Sequence, residues 1–107
     1  MRAEYYRNKY NIEPTDVAVL LAKQNGACAI CESVRPDSTR NQNWHVDHDH
    51  ATNAYRGILC GNCNRGLGLF RDNPDFLRKA AAYLEKPAPV LSDLLASRQR
   101  ELFHVVK

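Results

Sequence analysis

Cys28-Ala-Ile-Cys31, Asp47-His48-Asp49-His50 and Cys60-Gly-Asn-Cys63 are the stretches that decide the fold of this chain. The two CxxC pairs supply four thiolates, the number that closes a tetrahedral structural zinc site and leaves no open position for catalysis. The 28 residues between Cys31 and Cys60 exceed the usual spacing of a zinc ribbon, so we expect a hairpin to fold between the pairs. A redox dithiol and unrelated buried thiols are the alternatives, but a redox site needs only one pair.

Composition and the start of the chain favour a small intracellular protein. With 107 residues and a net charge of +3, the chain is expected to form one domain, and its charge is compatible with a polyanionic partner. The N-terminal segment lacks the apolar core of a signal peptide, and no stretch approaches the roughly 20 apolar residues of a membrane span. We therefore expect a cytoplasmic protein without a membrane partner, in which reduced cysteines bind metal.

Helix signals at the N-terminus predict an arm followed by a core helix. The arm, residues 1–13, carries three tyrosines that we expect to pack on the domain, with contact to nucleic acid as the alternative. The core helix is predicted to open at Pro14-Thr15-Asp16, with Thr15 as its N-cap, and to end at Gly26.

The rest of the chain is predicted to form a hairpin and three helices. Apolar alternation gives strands over residues 44–47 and 55–59. Helical patterns cover residues 61–71, a segment from Asn73-Pro74-Asp75 to Pro87, and residues 91–103. The fold class is therefore α+β, with a central domain over 14–86 and a helical extension over 87–107, which either caps the core or pairs with a second subunit.

The acidic and histidine-rich stretch predicts a second, hydrolytic site. Asp47 and the amide oxygen of Asn64 are hard ligands that suit a single Mg²⁺ ion. His48 is expected to act as the general base, because an imidazole with a pKa near 6.5 is available as a neutral group at pH 7. Successive side chains of a strand point to opposite faces, so Asp47 and His48 can serve one site only if the strand ends or bulges between them.

Neighbouring residues receive smaller roles in this interpretation. His50 is expected to bind the scissile phosphate or to orient His48, and Arg56 and Arg65 are candidate contacts for nucleic acid. His45 and His104 are expected to be structural. The alternatives are a second structural metal site, a polar hairpin without chemistry, and a Cys2His2 site that would leave two cysteines unused.

Four segments resemble the phage recombination endonuclease VII family, a branch of the HNH or ββα-metal nucleases: Cys28-Ala-Ile-Cys31, His45-Val-Asp-His-Asp-His50, Arg56-Gly-Ile-Leu-Cys-Gly-Asn-Cys-Asn64 and Leu67-Gly68. The resemblance covers about residues 14–85. It implies a small zinc-stabilised ββα-metal (His-Me finger) domain with flanking helices.

The family's residues carry over position by position. They imply that Asp47 and Asn64 bind the catalytic Mg²⁺ or Mn²⁺, that His48 is the general base and that His50 belongs to the active site. They also imply that the structural zinc ligands are Cys28, Cys31, Cys60 and Cys63. The best-known member resolves branched DNA as an intertwined dimer, but little of this chain follows residue 85 to form such a dimerisation region.

The sequence thus predicts a divalent-metal-dependent HNH endonuclease that hydrolyses DNA, encoded by a phage or prophage and active in the host cytoplasm. A homodimer formed through the C-terminal helix is a further expectation. The competing class is a non-catalytic zinc-containing DNA-binding module, and RNA is an alternative substrate.

Overall fold

The computed structural model describes residues 3–36 and 43–96. In chain order the elements are α1 (Ala3–Tyr10), α2 (Pro14–Ala22), β1 (His45–His48), β2 (Tyr55–Leu59), α3 (Gly61–Leu69) and α4 (Pro74–Glu85). Residues 91–96 are also helical, and the remainder of the predicted last helix lies outside the described residues. The chain divides into two compact units, one ending at Asn73 and the other beginning at Pro74. This is a small α+β protein with a two-stranded sheet.

The core of the first unit lies between the hairpin, the two N-terminal helices and the cysteines. Its buried residues are Tyr6, Val17, Cys28, Trp44, Val46, Ile58, Leu59 and Cys60. Tyr5 and Tyr10 pack against this cluster, which confirms that the tyrosines of the arm face the domain. Because this core is small, a metal ion that joins the cysteines would supply much of its stability.

Helix α1 covers the outer edge of β1 with tyrosine hydroxyls. The buried Tyr6 hydroxyl accepts the backbone N–H of Trp44 at 2.8 Å, and the Tyr10 hydroxyl faces the backbone N–H of Val46. A four-residue step along a helix rises about 6.0 Å, close to the roughly 6.6 Å of a two-residue step along a strand. This match in length lets Tyr6 and Tyr10 satisfy successive outward-facing amides.

The outer edge of β2 is covered by Gln24, just after α2. Its side-chain Nε2 donates to the carbonyls of Ala27 (2.9 Å) and Ile58 (3.0 Å), and its Oε1 accepts the Ile58 N–H at 2.9 Å. The Gln24 side chain therefore makes the hydrogen bonds to Ile58 that a neighbouring strand would otherwise make, and Ile58 has no exposed surface.

The hairpin is antiparallel, and its register shifts between Asp47 and His48. Asp47 pairs with Gly57 and His48 with Tyr55, so Arg56 is the extra residue of a β-bulge. The predicted irregularity between Asp47 and His48 is confirmed, although the inserted residue belongs to the partner strand.

The connection between the strands is closed by Asp49. Its Oδ1 accepts the backbone N–H groups of Ala51 (2.8 Å) and Thr52 (3.2 Å). These two hydrogen bonds lower the pKa of Asp49. Asp49 therefore stabilises the turn, as aspartate side chains commonly do when they accept backbone N–H groups two or three residues later.

The core helix opens at Pro14 as predicted, but its predicted N-cap and its predicted end were wrong. The N-cap is Glu13 and not Thr15, because Asp16 Oδ2 accepts the Glu13 N–H at 2.9 Å while Pro14 occupies the first helical turn. The helix ends at Ala22, and Gly26 (φ +73°) closes the following turns by donating its N–H to the Leu21 carbonyl at 2.9 Å. Competition between successive polar residues for one cap is decided by geometry, which sequence spacing does not specify.

Within the described residues, the second unit contains α4 and the helical residues 91–96. Helix α4 begins at Pro74 after Asn73, as predicted, and none of its residues is buried. The apolar side chains that remain exposed on this unit include Phe76, Tyr83, Leu84, Leu91, Leu94 and Leu95. No helix within the described residues is long and apolar enough to cross a bilayer.

Candidate metal centres

The two CxxC pairs meet at one point of the structure. The Sγ atoms of Cys28, Cys31, Cys60 and Cys63 all lie within 4.8 Å of one another. The Cys31 and Cys60 sulfurs are 3.7 Å apart, and all four cysteines are free thiols. Zinc–sulfur bonds of about 2.3 Å in a tetrahedron put the sulfurs about 3.8 Å apart. The four cysteines are therefore placed to hold one structural metal ion such as zinc.

Backbone amides surround these sulfurs. Cys28 Sγ accepts N–H groups from Cys60 (3.4 Å) and Ile30 (3.5 Å), and the N–H of Cys63 points at Cys60 Sγ (3.4 Å). Burial opposes ionisation of Cys28, but hydrogen bonds from the backbone amides of Cys60, Ile30 and Cys31 outweigh it and lower the pKa of its thiol to about 7. Burial and the neighbouring thiols raise the pKa of Cys63. One thiolate forms readily, and a bound dication would favour loss of the other protons.

The first knuckle turns back through Glu32, which adopts a left-handed conformation (φ +64°) directly after Cys31. The Glu32 N–H donates to the Cys28 carbonyl (3.1 Å), and the Cys28 N–H donates to the Ser33 carbonyl (2.9 Å). The second knuckle opens α3, since Cys60 is the N-cap of this helix.

Asp47 is held by the arginine of the bulge. Arg56 Nε lies 2.7 Å from Asp47 Oδ2, and Arg56 Nη2 lies 3.1 Å from Asp47 Oδ1. The Asp47 side chain is only 12% exposed, so its charge needs a nearby cation. Sequence reasoning assigned Asp47 to a metal and Arg56 to phosphate, and it did not predict that the two would pair.

His48 lies in an aromatic setting between two tyrosines. Its ring is stacked with Tyr10, with centroids 6.3 Å apart and planes 30° apart, and meets Tyr55 edge-on at 6.4 Å. The imidazole is half-buried, so these rings restrict its orientation. The contact between α1 and His48 was not expected from the sequence, where the tyrosines were assigned to packing or to nucleic acid.

Asn64 is presented by the second knuckle. Its backbone N–H donates to the Cys60 carbonyl at 3.0 Å, which ties its position to the cysteine cluster. Its side-chain Nδ2 lies 3.4 Å from Nδ1 of His45. Asn64 and Asp47 thus lie on α3 and β1, which pack together, but their described side-chain contacts are with different residues.

Asp72 belongs to the same polar network and was missed by sequence reasoning. Its Oδ2 accepts from Arg56 Nη2 at 3.2 Å and lies 3.5 Å from Nε2 of His50. Together with His50, Gly68 and Arg71 it lines an open cleft of 340 Å³. The sequence signal for this role was weak, because Asp72 is a single aspartate that follows a helical pattern. Its left-handed conformation cannot be predicted from the sequence.

The two remaining predicted contacts lie on exposed surface. His50 has 86% of its side chain exposed beside Asp72. Arg65 is exposed on α3, with its Nη2 2.7 Å from Asn62 Oδ1. His104 lies outside the described residues.

Comparison with known proteins gives a family and two phage relatives. A family model described as recombination endonuclease VII matches residues 3–86, a range that includes α1. The Gene 59 protein of Mycobacterium phage D29 is 34% identical over 100 residues, which is 83% of this chain and 59% of that protein. The Gene 59 protein of Mycobacterium phage L5 is 41% identical over 68 residues, which is 63% of this chain and 40% of that protein. The chain thus spans about half the length of these relatives.

No solved structure matches the chain. The family match covers more than half of the residues and contains both cysteine pairs, Asp47, His48 and Asn64. This chain therefore belongs to the recombination endonuclease VII family.

Proposed function

We propose that this chain is a zinc-stabilised HNH endonuclease that hydrolyses DNA phosphodiester bonds with the help of a divalent cation. The observation that carries the proposal is the β-bulge beside Asp47 and His48, next to a helix whose start is tied to the cysteine cluster. A bulge re-aims neighbouring side chains, and such irregularities are common beside active sites. In this proposal β1, β2 and α3 form the ββα-metal (His-Me finger) unit of a domain over residues 14–86, flanked by the 1–13 arm and the 87–107 extension.

The donor set suits Mg²⁺ or Mn²⁺. Asp47 supplies a carboxylate and Asn64 an amide oxygen, and both are hard ligands that leave room for water and phosphate. The Asn64 amide nitrogen is turned toward His45, so its oxygen is directed away from that ring. When bound there, the cation would stabilise negative charge on the scissile phosphate and the leaving oxygen.

His48 is the proposed general base, which takes a proton from the attacking water. The stacking of Tyr10 and the edge contact of Tyr55 hold its ring in place without a charged neighbour among the described contacts. His50 and Arg65, both exposed, are proposed to contact phosphate groups of the DNA.

A non-catalytic DNA-binding module is the second candidate. The observation in its favour is the Asp47–Arg56 pair, because both carboxylate oxygens of the proposed metal ligand already accept hydrogen bonds. This candidate needs the zinc site and a basic surface but no divalent cation at Asp47.

The test is a cleavage assay on supercoiled plasmid, linear duplex, four-way junction and single-stranded RNA, each with Mg²⁺ or Mn²⁺. We expect cation-dependent nicking of DNA that is lost in His48→Ala, while zinc content and DNA affinity stay at wild-type values. Full activity of His48→Ala would refute the assigned base. Absence of cleavage of every substrate by zinc-loaded wild-type protein would favour the binding module.

Partner and location remain part of the proposal. A homodimer through the C-terminal helix would cover apolar side chains that are exposed on the second unit, such as Leu91 and Leu94. We also propose that the protein acts in the cytoplasm of a phage's host, a proposal supported by its similarity to phage proteins.

A further inference from the structure

We propose that Arg56 and a divalent cation compete for Asp47, and that the displaced guanidinium, still tethered to Asp72, becomes a contact for a DNA phosphate. This inference rests on the proposed function. Arg56 would thus pair first with Asp47 and then with a DNA phosphate. Asp72 would keep Arg56 beside the site while it changes partner.

The bulge explains why Arg56 reaches Asp47 at all. In a regular antiparallel pair, Arg56 would oppose His48 and its side chain would leave the other face of the sheet. Because Arg56 and Gly57 together oppose Asp47, the guanidinium lies on the Asp47 side and binds it through two nitrogens, at 2.7 and 3.1 Å. The bulge therefore builds the pair.

Burial makes this pair more than a surface contact. The Asp47 side chain is 12% exposed and the Arg56 side chain 37% exposed. A carboxylate so little hydrated requires a positive partner, which an arginine or a metal ion can supply. A cation held by Asp47 would draw on the same carboxylate that Arg56 binds, and a dication close to Asp47 would also repel the guanidinium. An arginine side chain keeps its charge in proteins, so loss of a proton does not relieve this repulsion.

Asp72 gives the guanidinium a second anchor. Arg56 Nη2 donates to Asp47 Oδ1 at 3.1 Å and to Asp72 Oδ2 at 3.2 Å. Rotation about this nitrogen can break the short Nε–Asp47 bond and keep the bond to Asp72. The released face of the guanidinium would then lie near the cleft that Asp72 shares with His50 and Arg71, two side chains that suit phosphate.

The charge balance favours such a transfer. Asp47, Asp72 and Arg56 together carry one excess negative charge, which repels a DNA phosphate. A bound dication turns this into one excess positive charge, which a phosphodiester neutralises. Arg56 would thus be available to DNA only after the cation has bound.

The experiment uses zinc-loaded protein, checked at one zinc per chain, and Mn²⁺ as the probe. Free Mn²⁺ is followed by electron paramagnetic resonance for wild type, Arg56→Gln, Arg56→Lys and Arg78→Gln. Arg78 is the matched control, because it forms a comparable 2.7 Å pair with Asp75 on exposed α4. We expect Arg56→Gln to bind Mn²⁺ about tenfold more tightly, equivalent to about 1.4 kcal/mol. Arg56→Lys should fall between it and wild type, and Arg78→Gln should match wild type.

A second readout uses DNA in the cleavage-deficient His48→Ala background. With Mn²⁺ present, Arg56→Gln should reduce the slope of log affinity against log salt by about one, the value for one lost phosphate contact. Without added Mn²⁺, Arg56→Gln should leave this slope unchanged, because Arg56 is then paired with Asp47 and does not contact DNA.

The outcomes separate the two proposals. If wild type nicks DNA with Mn²⁺ but Arg56→Gln binds Mn²⁺ no more tightly than Arg78→Gln, the competition is refuted and the nuclease stands. An equal change of slope with and without Mn²⁺ would also overturn the transfer of Arg56. If no zinc-loaded variant binds Mn²⁺ and none cleaves DNA, both proposals fail.

Discussion

Replacing Gln24 by methionine should destabilise the first unit more than any exposed substitution on the same segment. Methionine keeps the length of the side chain but removes three hydrogen bonds to Ala27 and Ile58. Ile58 is fully buried, so its N–H loses its partner without access to water. The Ile58 carbonyl still accepts the Ala29 N–H at 3.1 Å. The magnitude is therefore set by one orphaned donor and two lost acceptor bonds.

An unsatisfied buried donor costs about 1–3 kcal/mol and each lost acceptor bond about 0.5–1.5 kcal/mol, so we expect a total loss of about 2–6 kcal/mol. This corresponds to a fall in Tm of about 8 °C or more for a unit of this size. The assay is urea unfolding of the zinc-loaded protein, with exposed Lys23→Met as the matched control. A free energy of unfolding for Gln24→Met within about 0.5 kcal/mol of the control would refute the edge-capping argument.

Two further predictions concern the cysteine cluster and the histidine setting. Cys28→Ser should lose zinc and unfold, because structural zinc contributes about 10–16 kcal/mol of apparent binding energy in peptides; a folded, metal-free and active variant would contradict the structural role. Tyr10→Leu, which removes the ring stacked on His48, should slow DNA nicking by about two- to tenfold, the equivalent of an aromatic contact of about 0.5–1.5 kcal/mol. Tyr10→Phe keeps the ring and should retain more activity than Tyr10→Leu at unchanged DNA affinity; equal rates in the two variants would exclude a positioning role for the ring.

The elements that the sequence predicted best are those with strong local signals. Strand β2 and the start of α4 lie where the pattern placed them, and β1 is shifted by one residue. The irregularity between Asp47 and His48 was predicted from chemistry, because adjacent side chains of a regular strand cannot serve one site. The identities of Asp47 and His48 are enough to predict an irregularity between them. Which strand contains the extra residue depends on the pairing across the hairpin.

The contacts that escaped prediction join residues far apart in the chain. Tyr10 meets His48 across 38 positions, and Asp72 meets Arg56 across 16. No local propensity encodes such pairs, because they arise only when helices and strands have packed. The N-cap at Glu13 was missed for a smaller reason, since several polar residues near Pro14 can fill that position.

By itself, the sequence determined the chemistry that is available to this protein. The two CxxC pairs specify a four-sulfur metal site by ligand type and number, and their spacing with Asp47, His48 and Asn64 identifies the recombination endonuclease VII family. Only the tertiary structure decided the partners of these groups. The β-bulge places Arg56 where it pairs with Asp47, and the packing of α1 places Tyr10 where it stacks on His48. The reason is physical: ligand identity is a property of single residues, whereas charge pairing and ring orientation depend on distances that exist only in the folded chain.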